Sequence, residues 1–217
     1  KFDHASVRIG QISSRRTPLL GPLALEDSGV TGRISRLGFN HPDEIVDGVT
    51  YEKSAEVIRM LRLILTPKRF KEAKTLYFQR YKDSNASTDQ FFACFEEVYG
   101  SSLEQFKQGW INTQGYPTVT ATAEHIKDES VYEITFTQEN SGNDQRPFHI
   151  PIELALVGKD GKDIEGTSRI YELTEKKATV RIEGIDEEPL FASLNRDSSF
   201  YGRFMHKNIK KNQLISQ

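Results

Sequence analysis

Around Gly115-Tyr116-Pro117 the spacing of apolar residues changes from about 3.6 to about 2. A chain that carries the two periods in separate blocks builds helices first and sheet afterwards. Upstream of the change, Tyr51, Ala55, Ile58, Leu61 and Leu65 recur at helical spacing, with Val57, Met60 and Ile64 widening the stripe. A helix starting near Tyr51 is therefore expected to be buried on most sides. Glu52, Glu56 and Arg59 form its polar face, and solvated ion pairing is the expected use of that set. Asp47 or Thr50 can cap the start. Tyr51 then sits at a helix N-terminus, where a phenol can donate a hydrogen bond to an oxyanion with the positive end of the helix behind it. The same spacing also suits a first-turn aromatic packed on the preceding loop.

Further helices follow in order. Thr66 and Pro67 suit an N-cap and first helical position, and Phe70, Ala73, Leu76, Tyr77 and Tyr81 continue at three and four. Ser87 caps a third helix carrying Phe91, Phe92, Phe95 and Val98, which Gly100 closes, and Leu103, Phe106 and Trp110 mark a short fourth. The aromatics read as core, with Phe106 and Trp110 expected to pack across the Gly115 turn onto the strands. Beyond Pro117, alternation at Val119 to Ala123, Val131 to Phe136, Ile150 to Leu156, Ser168 to Leu173, Ala178 to Ile182 and Pro189 to Leu194 gives about six short strands. Lys159-Asp160-Gly161-Lys162 reads as a hairpin turn. The fold class is α+β, with helices followed by a small antiparallel β-sandwich. Residues 1–50 hold many turn-formers and are expected to form an irregular segment that wraps the helices, with a helix or strand beginning over Ser6 to Ser14 and ended by Arg15-Arg16-Thr17-Pro18, and residues 205–217 a polar tail or linker.

Tyr51-Glu52-Lys53-Ser54-Ala55-Glu56-Val57-Ile58-Arg59-Met60 resembles the tyrosine-bearing helix of the zinc aminopeptidase N family, gluzincins that remove N-terminal amino acids. Thr88-Asp89-Gln90-Phe91-Phe92, Phe95-Glu96, then Gly100, Leu103, Phe106 and Trp110, and finally Gln114-Gly115-Tyr116-Pro117 are similar, in the same order, to the stretch closing that family's catalytic domain. The likeness covers roughly residues 45 to 200, and the linked features are more specific together than singly. Ser54 departs from the glycine usual after Tyr-Glu-Lys. The resemblance implies the helical end of a thermolysin-like catalytic domain over residues 51–116, a β-sandwich domain over 117–204, and Tyr51 as the catalytic donor to the oxyanion opposite zinc. It also implies peptide substrates, and further domains of the same protein before and after this stretch.

The remaining composition narrows the function. A net charge of −2, with acids and bases interspersed, argues against a nucleic-acid partner. No apolar run approaches the roughly 20 residues of a membrane span, so no membrane partner is expected. Cys94 is the single cysteine, which excludes an intrachain disulfide and suits a reducing, cytoplasmic setting. The histidines, His4, His41, His125, His149 and His206, lack ligand spacing, and no His-Glu-x-x-His or Gly-x-Ser-x-Gly occurs. The sequence thus reads as part of a zinc aminopeptidase whose metal ligands lie elsewhere, with no zinc expected on this chain and no activity expected from it alone. The competing expectation is a non-catalytic relative, or a free-standing sandwich module, that serves as an interaction scaffold.

Overall fold

A computed structural model describes residues 4–17, 21–29, 32–36, 38–142 and 144–208. Helices α1 (His4–Arg16) and α2 (Pro22–Asp27) precede a 3-10 turn at Pro42–Ile45 and a π-helical turn at Val49–Lys53, which runs directly into α3 (Ser54–Tyr81). Two further helices, α4 (Thr88–Tyr99) and α5 (Glu104–Trp110), complete this half. The irregular path expected over residues 1–50 therefore contains a thirteen-residue helix and a shorter one. Most described side chains of α1 are exposed, so it shows no apolar stripe, and Pro22 at the first helical position is the signal that marks α2. The stretches at 18–20 and 30–31, like the expected tail beyond 208, lie outside the described residues.

The break expected at Thr66 is present. Thr66 has φ 67° and ψ 156°, a conformation costly for a β-branched residue, and Pro67 opens the second half of α3. The buried stripe of α3 is Val57, Met60, Leu61, Ile64 and Leu65, whereas Tyr51 and Ile58, assigned to it by spacing, face solvent. Ser87 and Gln90 form a reciprocal capping box on α4, and Gly100 ends that helix at φ 77°.

Seven strands follow: β1 (Pro117–Ile126), β2 (Val131–Asn140), β3 (Ile150–Val157), β4 (Arg169–Leu173), β5 (Lys177–Glu183), β6 (Phe191–Leu194) and β7 (Arg203–His206). They make a four-stranded sheet ordered β5-β2-β1-β7 and a three-stranded sheet ordered β4-β3-β6. Phe136 of β2 stacks on Tyr171 of β4 at 5.7 Å, joining the two sheets. All pairings are antiparallel except β1 with β7, which is parallel. That last strand crosses into the segment expected to be tail, and the Asn208 side chain extends the hold by bonding both the N–H and the carbonyl of Ala123. Strand β3 is buried along almost its whole length because α3 packs on one side of its sheet and the other sheet closes the opposite side.

Helices and sheets share one continuous core. At their junction the Trp110 ring lies 4.6 Å from that of Phe148, its indole N–H donates to the His149 carbonyl at 2.8 Å, and Phe106 meets the His149 ring edge-on at 5.8 Å. Trp110 is 0% exposed. Replacing it with alanine leaves a large cavity and an unpaired carbonyl, so Trp110→Ala should lower the unfolding free energy by about 3–5 kcal/mol. Urea denaturation measures this, and a loss below about 1 kcal/mol would show that the junction carries little of the stability.

Candidate functional site

Tyr51 lies in the π-helical turn that feeds α3, and its side chain is 68% exposed. The turn is fastened at its start by Asp47, whose Oδ1 accepts the Thr50 N–H at 2.8 Å and whose carbonyl accepts the Tyr51 N–H at 3.1 Å. Of the two expected caps, Asp47 takes the role. An exposed phenol so placed is presented rather than packed. Beside it opens a cleft of about 240 Å³ whose walls include Gln11, Ser14 and Arg15 of α1 and Glu52, Ala55 and Glu56 of the Tyr51 segment.

Glu56 lines that cleft, and the structure corrects its expected role as a solvated surface charge. It is 6% exposed and receives Arg8 at 2.5 and 3.2 Å, Arg15 at 2.7 Å and Arg59 at 2.9 and 3.0 Å. Burial alone would raise its pKa, but hydrogen bonds from Arg8 and the charges of Arg59 and Arg15 outweigh it and hold the carboxyl below the usual range. Burial, in turn, lowers Arg15 to about 10, with Glu56 opposing the shift. Arg8 and Arg59 also donate to the Ser198 carbonyl at 2.9 and 2.7 Å, so the cluster ties α1 and α3 to the loop before β7.

On the other side of Tyr51, Lys53 turns inward and is 0% exposed. Its Nζ donates to Glu26 Oε2 at 2.9 Å and to the Gly115 carbonyl at 2.7 Å, and stands 5.5 Å from the centre of the Tyr201 ring. Glu26 also accepts the Gly115 N–H at 2.9 Å and the Tyr201 hydroxyl at 2.7 Å. Gly115 has φ 89°, and a side chain there would strike Ser141 and Gly142. Burial pushes Lys53 below the usual lysine range, with the charge of Glu26 opposing it. Sequence spacing gives no hint of this arrangement, since a lysine in a first helical turn normally reads as solvated.

Among the described residues, no group of three or more histidine, cysteine, aspartate or glutamate side chains could hold a metal ion. His149 is occupied by Glu172 at 2.6 Å, and that carboxylate also accepts the Tyr99 hydroxyl at 2.8 Å. His125 and His206 lie in β1 and β7 on the sandwich. The described residues therefore do not fit the zinc that the resemblance implies. No described helix is long and apolar enough to cross a membrane.

A helical segment followed by an immunoglobulin-like sandwich is the class these elements define. Residues 32–110 match the Peptidase family M1 domain, and residues 115–207 match a domain of unknown function, DUF3458, with an Ig-like fold. The chain is 32% identical over 118 residues to aminopeptidase N of Escherichia coli, covering 52% of this chain and 13% of that protein. It is 42% identical over 78 residues to aminopeptidase M1-C of Oryza sativa subsp. japonica, covering 36% of this chain and 9% of the relative. In three dimensions it resembles the crystal structure of Legionella pneumophila aminopeptidase A in complex with aspartic acid, with a TM-score of 0.74, 20% identity, and coverage of 85% of this chain and 21% of that one; at this identity the likeness shows the fold alone. Between them these matches liken most of the chain to part of an M1 aminopeptidase, and the chain spans about an eighth of the length of its aminopeptidase N relative.

The Glu56 cluster generates a pH-dependent test. Because the folded-state pKa of Glu56 lies below its ordinary value of 4.5, the carboxylate contributes its full stability above that value and loses it as the pH falls toward the lowered one. Glu56→Gln leaves three arginines facing a neutral group, so at pH 7 it should cost about 3–5 kcal/mol. The gap between variant and native protein should narrow as the pH drops below the ordinary carboxylate range. Equal gaps at pH 7 and in acid, read from denaturant unfolding, would contradict this account of the cluster.

Proposed function

We propose that this chain is part of a peptidase that hydrolyses N-terminal amino acids from peptides, and that Tyr51 is its catalytic contribution. The observation that carries the reading is the exposed phenol of Tyr51, held in a turn anchored on both sides and pointing its hydroxyl away from the shared core at the positive end of α3. As water adds to the scissile carbonyl, negative charge gathers on its oxygen. A phenol O–H fixed in advance donates to that oxygen more strongly in the transition state than in the ground state, which is the condition for lowering the barrier.

The division of labour follows from the residues. The family's metal would supply water activation, and residues of the longer protein outside this chain would hold it. Taken alone, the chain offers the oxyanion donor without that partner chemistry, so hydrolysis by it alone is not expected. Residues 51–116 would then close the catalytic domain and residues 117–204 form the sandwich behind it. The cytoplasm is the proposed setting, since the single thiol, Cys94, is buried and unpaired with another cysteine.

Tyr51→Phe removes the donor and keeps the ring. In the full-length protein it should lower kcat on the order of 10²-fold, with metal content and thermal stability unchanged. Steady-state kinetics on an aminoacyl anilide, with metal content determined alongside, make the measurement. Native turnover in a metal-loaded Tyr51→Phe enzyme would remove Tyr51 from the reaction.

A further inference from the structure

In the turn that carries Tyr51, the Tyr51 side chain is outside, whereas Lys53 faces inward with its ammonium fully buried. A lysine carries three donors. Here two go to Glu26 Oε2 and the Gly115 carbonyl, and the ammonium approaches the Tyr201 ring. These contacts come from α2, from the link between helices and sandwich, and from the segment before β7. Glu26 is itself held by the Gly115 N–H and the Tyr201 hydroxyl, so the partner of the ammonium is fixed in place.

We propose that Lys53 is a positioning residue for the reaction: its buried pairing with Glu26, across the Gly115 link, sets the place of the Tyr51 hydroxyl two residues earlier. The inference rests on the reading of Tyr51 as oxyanion donor. An apolar residue at 53 could fill the volume without fixing the turn, because packing is non-directional whereas the ion pair and its hydrogen bonds specify one orientation. The sandwich thereby becomes part of the catalytic apparatus, since the Gly115 carbonyl and the Tyr201 ring both meet Lys53, two residues from Tyr51.

A double-mutant cycle in the full-length protein tests this. Lys53→Met should lower kcat on the order of 10²-fold, as expected for a displaced catalytic group, with a much smaller change in KM. In a Tyr51→Phe background the same substitution should change kcat by less than about threefold, because no phenol remains to misplace. If Lys53→Met does not fold, Tyr201→Phe removes one bond to Glu26 and keeps the ion pair. It should then lower kcat about tenfold, again only where Tyr51 is present. Unchanged kcat in the folded variant, or equal losses in both backgrounds, would overturn the positioning role while leaving the Tyr51 reading intact. Failure of that reading is seen separately, as native turnover in Tyr51→Phe alone.

Discussion

The buried pair of Glu26 and Lys53 is the interaction on which the arrangement depends. A carboxylate and an ammonium withdrawn from water are tolerated only when their charges and lone pairs are met in place. Glu26 meets Lys53, the Gly115 N–H and the Tyr201 hydroxyl, so a single carboxylate fixes three segments that are distant in sequence to its own helix. Removing any one partner exposes the others to an uncompensated desolvation cost. Next to this centre, the Tyr116 hydroxyl donates to Asp27 at 2.5 Å and Arg203 pairs with the other oxygen of Asp27, which carries the connection onward to β7.

A second centre works by the same rule, with three cations around one carboxylate. At Glu56 three guanidinium groups converge on one carboxylate, and carbonyls of the loop before β7 accept further donors of Arg8 and Arg59. This explains how α1, whose described surface is largely exposed, stays on the body of the protein: it is held by ions rather than by an apolar face. The two centres flank Tyr51, one beneath the turn and one along the cleft. Between them the exposed phenol sits on a support with little freedom to shift.

Much of this was readable in the residues. The change of period at Gly115, the caps at Ser87 and Gly100, the break at Thr66 and the packing of Trp110 on the strands depend on local chemistry that a sequence displays directly. The family resemblance singled out Tyr51. What local pattern could not reveal was long-range electrostatics. Glu26 and Lys53, or Arg15 and Glu56, read as ordinary surface charges until the fold brings them together. Helix α1 was legible only as a helix or strand over Ser6 to Ser14, because its anchoring residue lies in another helix, and β7 went unseen because a four-residue polar strand is specified by its neighbour β1 rather than by its own alternation.

The most direct test of this account is hydrogen exchange at one amide. The Gly115 N–H lies in a connecting segment, where exchange is ordinarily fast, yet it donates to buried Glu26. If the Glu26–Lys53 centre joins helices to sandwich, this amide opens only with global unfolding and its protection equals that of the β3 core amides. Exchange of Gly115 at the rate of an exposed loop, while the β3 amides remain protected, would contradict the claim that the two halves are locked together there.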